Sequence, residues 1–501
     1  MNDIPEEIIE FMSRGYGSSL VVRGSAGSGK TIFSLELMEK MTNLNPIYLS
    51  TRVYSDLLYK QFPRLEEKYK NNRSKKIIDA STIFLKTLSD TTDKLKLIQS
   101  AYELLKTIQT KKVSEINKSV LEFYGLSEDQ TNLSELIEVC DIIKSNSHTE
   151  YLLVMDSIDG LCIKYRIKEE DLIELLNETF VEAADLKMIY VLEKRMETIL
   201  DYLVDGVVTL DHGTIGHRII REIELKKLRG VKIDQSKYLF TLNEGRFRGF
   251  EPFEPKYPKK HKKFEPVPDT AMYFSTGNKD LNYILGGGYP RGSFVFIEIG
   301  KNVDYEAFFT IIMLTAANFA VQGRPVGIIP VGGTNPKEVK DLVYLYGLID
   351  ELELFRTITE YDPTAQLDED FVITYKHGDM KDCFDIWNTE ISYLKKQTGE
   401  NVLKIIGYDT MECLFGTDEI AEIIYSQKQK VLSEGDVIIT IGRDSTPKTN
   451  RKLADASNIH LKLEKHNGTI ILYGEKPSTK LYVLEMNVQK GYPDIDLIPI
   501  V

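Results

Sequence analysis

Gly24-Ser-Ala-Gly-Ser-Gly-Lys30-Thr31 satisfies the spacing G-x-x-x-x-G-K-[ST], with an apolar run before it and a helical pattern after it. That spacing has a physical use. Glycines at 24, 27 and 29 let the main chain close around phosphate oxygens that side chains would block. Ser25, Ala26 and Ser28 complete the cradle. The amides from Gly27 to Thr31 would point into it at a helix N-terminus, where partial positive charge favours an anion. Lys30 would reach the β- and γ-phosphates of ATP, and the Thr31 hydroxyl would ligate Mg²⁺. Asp156 closes the continuous apolar run Tyr151–Met155 and is the candidate metal-orienting carboxylate. Arg52 follows Ile47-Tyr-Leu49 and would lie near the γ-phosphate, to sense nucleotide or to pair with an acid. Glu193, just past Met188–Leu192, and Asp159 are the candidates for orienting an attacking water. Lys226, Lys227 and Arg229 end an alternating segment, Ile219–Leu225, and could reach a neighbouring subunit's nucleotide, a partner or only solvent.

These residues need a frame. Ser19–Arg23, Ile47–Leu49, Tyr151–Met155, Met188–Leu192 and Gly206–Leu210 read as strands. Alternation with helical segments such as Thr31–Met41 implies a parallel sheet covered on both faces. From about 74 to 147, Leu and Ile recur at helical spacing among polar residues, which predicts a helical insertion. Residues 251–269 are rich in Pro and Lys and read as a linker, whose lysines 256, 259, 260, 262 and 263 could touch nucleic acid or an acidic partner or lie on a solvated hinge.

A second α/β pattern follows over 270–501, so the domains expected are 1–250 and 270–501. Ser293–Ile299, Val326–Pro330, Val402–Ile406 and Asp436–Thr440 read as strands, and Phe308–Val321 as a buried helix. The segments 459–463, 469–473 and 480–487 alternate as an antiparallel meander. Where the phosphate loop would recur, the chain reads Gly300-Lys301-Asn302-Val303-Asp304. Val295 stands where the first glycine should be, and no Ser or Thr follows Lys301. Asp409 ends a later strand at the place comparable to Asp156, with no cradle beside it.

The chain has 501 residues and a formal charge of −13, with 63 Lys+Arg against 76 Asp+Glu. That balance disfavours coating nucleic acid through the overall field, though a local basic patch remains open. Four scattered cysteines (140, 162, 383 and 413) without a C-x-x-C pair fit a reducing cytoplasm better than a disulfide framework or a zinc site. No apolar stretch is long enough for a membrane span, and the N-terminus has no leader pattern.

Gly24–Thr31, Asp156-Ser157, Asp201-Tyr-Leu-Val-Asp205-Gly206-Val-Val, Glu222–Gly230 and, in the second half, Ser275–Gly292 resemble the RecA/KaiC-like P-loop ATPases of archaea and bacteria. Ile4–Phe11, Leu49-Ser-Thr-Arg-Val53 and Gln61-Phe-Pro63 are similar to the archaeal gas-vesicle regulators of the GvpD type. The resemblance implies an α/β fold of two tandem RecA-like P-loop NTPase domains with parallel-sheet cores, the first carrying the helical insertion, the second degenerate. It implies ATP and Mg²⁺ as cofactors, a regulatory protein partner such as a transcriptional activator, and side-by-side assembly into a homo-oligomer. RecA-type ATPases carry a catalytic Glu just after the second strand. Here that place reads Leu49-Ser50-Thr51-Arg52, without an acid. The residues therefore speak for ATP binding with slow hydrolysis. A DNA-handling recombinase-type ATPase and a KaiC-like kinase are the alternatives.

Overall fold

A computed structural model describes residues 3–70, 76–80, 134–145, 150–165, 168–194, 199–331, 334–360, 369–375, 380–415 and 420–501. The chain divides into two compact units, Met1–Phe250 with Val501, and Glu251–Ile500.

The first unit is built on nine strands: β1 (Ser18–Arg23), β2 (Asn45–Ser50), β3 (Lys76–Asp79), β4 (Tyr151–Asp156), β5 (Lys187–Leu192), β6 (Gly206–Ile215), β7 (Arg218–Leu228), β8 (Lys237–Thr241) and β9 (Arg248–Phe250). They lie in the order β3-β2-β4-β5-β1-β6-β7-β8-β9. The pairs from β3 across to β6 are parallel, and those from β6 to β9 antiparallel. Every residue of β1, β4 and β5 is buried. Because successive side chains face opposite ways, these apolar runs feed two cores. Leu20, Val22, Val154 and Ile189 pack with Phe33 and Leu37 of the helix Lys30–Lys40 on one face. Val21, Leu153, Met155 and Tyr190 pack with Ile158, Leu161 and Ile173 on the other.

The expected helical insertion over 74–147 needs a correction at its start. Residues 76–79 form β3, parallel to β2 at the sheet edge. Ile77 and Ile78, adjacent in sequence, enter the two different cores, which suits a strand covered on both sides and not a helix face. Ser134–Ser145 is helical. The remainder of that expectation lies outside the described residues.

The second unit opens with a two-strand pair, β10 (Tyr273–Phe274) and β11 (Tyr289–Pro290). Its main sheet has ten strands: β12 (Ser293–Ile299), β13 (Val326–Ile329), β14 (Phe355–Glu360), β15 (Val372–Tyr375), β16 (Leu403–Gly407), β17 (Val437–Arg443), β18 (Ile459–His466), β19 (Thr469–Lys476), β20 (Tyr482–Asn487) and β21 (Asp494–Pro499). The order is β15-β14-β13-β16-β17-β12-β18-β19-β20-β21. Without β15 it repeats the order of the first sheet strand for strand, with the same switch from parallel to antiparallel pairing after β18. The helix Tyr305–Ala320 is buried almost all round.

The Pro/Lys-rich stretch has no helix or strand, but it differs from a free hinge. The Phe253 amide donates to Gly468 O at 2.9 Å, Lys262 N to Gly491 O at 3.0 Å and Phe264 N to Tyr346 O at 2.9 Å. Phe264 is buried among core residues of the second unit. A segment that cannot enter a sheet still satisfies its amides against neighbouring carbonyls, and one aromatic anchor holds it. Among the described residues, no helix is long and apolar enough to cross a membrane.

Candidate functional site

The parallel strands align their carboxyl ends in one row. Ser50 pairs with Asp156, Asp156 with Val191, and Arg23 with Leu192. Residues just beyond β2, β4, β5 and β1 therefore converge along one sheet edge, where open α/β sheets bind ligands.

Gly24–Gly29 joins β1 to the helix Lys30–Lys40. Gly24, Gly27 and Gly29 have φ of 156°, 76° and 97°. A Cβ on Gly24 would lie 2.1 Å from Leu210 O, so this position excludes any side chain, while Gly27 has open space around it. The loop folds on itself through Ser28 N to Ser25 O at 3.2 Å, and Gly29 O accepts from Phe33 N at 2.8 Å. The hydroxyl oxygens of Ser25 and Ser28 are buried without a hydrogen-bond partner. Ala26 and Gly27 are exposed at the tip. Lys30 is 5% exposed; its ammonium donates to Gly24 O at 3.0 Å, Ser25 O at 2.8 Å and Glu193 Oε2 at 3.1 Å.

Asp156, at the end of β4, accepts from Thr31 Oγ1 and from Tyr48 OH, each at 2.5 Å on Oδ2. Burial raises its carboxyl above the usual range. The two hydroxyl hydrogen bonds oppose that rise, Glu193 adds to it and Lys30 offsets it. Burial and the Asp156 carboxylate push the Tyr48 phenol well up, so it stays a proton donor. Glu193, at the end of β5, joins the two cations of the site: Lys30 on Oε2, and Arg52 Nη1 on Oε1 at 3.1 Å. Its backbone amide donates to Asp159 Oδ2 at 2.9 Å. Asp159 thus holds the strand end rather than facing the loop directly. Thr51 ties the segment before Arg52 to β4: its amide donates to Asp156 O at 2.8 Å, and its Oγ1 accepts from Ser157 N at 2.8 Å.

Three residues escaped sequence reasoning. Tyr48 lies inside an apolar strand, where an aromatic residue reads as core, and only the cross-strand register brings it to Asp156. Arg221, within β7, donates to Gly27 O at 3.1 Å. Arg23, the residue before the loop, forms a bidentate pair with Asp201 at 2.8 and 2.9 Å. The basic strand end turns toward its own chain. Lys227 donates to Asp201 O and Val204 O, Arg229 pairs with Asp205, and Lys226 with Glu224.

The site suits a phosphate chain with a hard cation in three respects. Gly27 leaves open space at the loop tip, two buried serine hydroxyls lack partners, and Thr31 and Asp156 offer oxygen donors. Among the described residues, no three His, Cys, Asp or Glu side chains converge as a metal cage.

Among its described residues, the second unit lacks this arrangement. Five residues, Gly300–Asp304, join β12 to its helix; Gly300 N donates to Leu463 O at 2.8 Å, and Asp304 accepts from Lys465 at 2.7 Å. Asp409 is not the register equivalent of Asp156. Ile299 pairs with Arg443 and Gly407 with Ile441, so the corresponding position is Tyr408. Asp409 falls one residue later, in the first turn of a helix, 3.4 Å from Arg443 Nε. The helix starting at Tyr408 shifts the acid off the strand end.

Residues 8–226 match the family described as GvpD gas vesicle protein, P-loop domain, and residues 263–501 match GvpD basic region 2. The chain is 24% identical to Protein GvpD1 of Halobacterium salinarum over 567 aligned positions, covering 99% of this chain and 96% of that protein. It is 26% identical to Protein GvpD2 of the same organism over 522 positions, with the same coverage. A phosphate loop at the head of an α/β sheet, two matched segments that span most of the chain and relatives aligned nearly end to end make this chain a GvpD-like P-loop protein.

Proposed function

We propose that the first unit binds ATP with Mg²⁺ in the Gly24–Thr31 loop, and that the protein is a nucleotide-dependent switch acting on a regulatory protein partner in the cytoplasm. The observation that carries the reading is the pair of buried, partnerless serine hydroxyls in the loop beside the Thr31–Asp156 oxygen pair, with open space at Gly27. In this reading, amides of residues 27–31 bind phosphate oxygens, and Lys30 supplies positive charge. Thr31 and Asp156 hold Mg²⁺, which neutralises phosphate charge when bound. Tyr48 orients the Asp156 carboxylate. Glu193 is the group to orient a water, but its contacts with Lys30 and Arg52 occupy it, which argues for slow hydrolysis.

Arg52 is the sensor. A phosphate that draws Lys30 away weakens one side of the Lys30–Glu193–Arg52 chain, and the exposed segment after β2 can respond. The repeated strand order supports two tandem RecA-like domains, the second a degenerate platform without a cradle. Assembly into a homo-oligomer accords with that reading.

Titration with ATP tests the first step. Wild type should bind in a Mg²⁺-dependent manner and Lys30→Ala about 100-fold more weakly, the loss of a buried charge contact near about 3 kcal/mol. Equal affinities would end the proposal. Affinity capture with ATP, with ADP and with Lys30→Ala tests the switch: one partner retained equally in all three would refute nucleotide control.

A further inference from the structure

A cavity of about 210 Å³ opens in the second unit, between the helices Tyr305–Ala320 and Pro336–Leu345. At roughly 30 Å³ per water it has room for a small organic molecule. Its wall is apolar and aromatic: Tyr305, Phe309, Met313, Leu342 and Tyr346 line it. The Tyr305 and Phe309 rings stack, with centroids 4.7 Å apart and planes at 21°.

Its charged groups are all acids. Glu306, Glu338 and Asp341 line it, and among the described residues no lysine, arginine or histidine does. Arg443 acts on Tyr305 from outside the lining, where it also faces Asp409. Glu338 is engaged as a helix cap with Asn335. Glu306 lies beside Tyr257 at the entrance; burial and that carboxylate raise the Tyr257 phenol. A second, independent feature sits deeper. Tyr346 is 1% exposed, and its hydroxyl makes no well-formed hydrogen bond, although Thr310 lies next to it. Thr310 gives its own proton to Glu306 O at 2.7 Å.

Aromatic faces attract cations, the half-buried Glu306 carboxylate and the exposed Asp341 carboxylate at the mouth add to that attraction, and a buried hydroxyl rewards a polar ligand group. We propose that this cavity is a binding site for a small organic ammonium ion, its apolar body against Phe309 and Leu342 and its charge toward Glu306 and Asp341. Nothing in this proposal depends on nucleotide binding in the first unit.

The test uses the full-length chain and three probes of one shape: phenethylammonium, neutral 2-phenylethanol and anionic 3-phenylpropanoate, each titrated calorimetrically. The ammonium should bind at least about tenfold more tightly than the other two, a difference of about 1.4 kcal/mol. The pair Glu306→Gln with Asp341→Asn should remove most of that preference, and Leu342→Trp should block the ammonium by filling the cavity. Unchanged thermal unfolding of the variants would show that they fold. Failure of the ammonium to bind, equal binding of the neutral probe, or a preference that survives the double substitution would each overturn the proposal.

Discussion

Glu193 touches Lys30 and Arg52 together, and Asp156 is held by Thr31 and Tyr48, so six side chains around the phosphate loop form two small networks rather than separate contacts. Tyr48→Phe removes one of the two hydroxyls that stabilise a buried carboxylate. It should cost about 1–3 kcal/mol in unfolding free energy, and an unchanged denaturation midpoint would show that the Tyr48 bond is idle. The pH dependence follows from the raised Asp156 carboxyl. An acid whose value rises on folding favours the fold where it is protonated, and that contribution is lost as pH increases through the folded value. Asp156→Asn, which can still accept from Thr31 and Tyr48, should therefore raise the melting temperature of the nucleotide-free protein at about pH 7, with the gain shrinking toward about pH 4. A gain that grows on acidification would reverse the assigned direction.

Strand ends decide which of these residues matter, because β4, β5 and β1 present Asp156, Glu193 and Gly24 along one edge. At Gly24 a Cβ meets the Leu210 carbonyl at 2.1 Å, whereas at Gly27 it meets nothing. Gly24→Ala should destabilise the fold by more than about 2 kcal/mol, and Gly27→Ala by only about 1 kcal/mol from its positive φ. Comparable losses in a denaturant titration would mean that the loop relaxes freely. The strand that carries the loop is anchored by buried Arg23 on Asp201. Asp201→Ala strands a buried guanidinium and should cost on the order of 3 kcal/mol, while Arg23→Met with Asp201→Leu should cost much less. A double-mutant cycle with no coupling would dismiss the pair as an anchor.

At the scale of the whole molecule, each of the two units has its own sheet and cores, with the same strand order apart from β15, and the phosphate loop belongs to the first. If ATP binds only there, calorimetry at about 100 times the dissociation constant should stabilise one unfolding transition by about 2.7 kcal/mol and leave the other in place. A shift of both, or of the second alone, would contradict that assignment. The loop Gly24–Thr31, the apolar strands around it and the missing cradle at Gly300 were legible from the residues alone, because glycine spacing, a Lys-Thr pair and continuous apolar runs are local properties of the chain. The extra edge strand at Lys76–Asp79, the packed course of Phe264, the displacement of Asp409 by Tyr408 and the partners Tyr48, Arg221 and Asp201 were decided by tertiary structure. Each depends on which strands lie side by side and in what register. Residues far apart in sequence set that arrangement when they bury their surfaces together, and no local pattern encodes it.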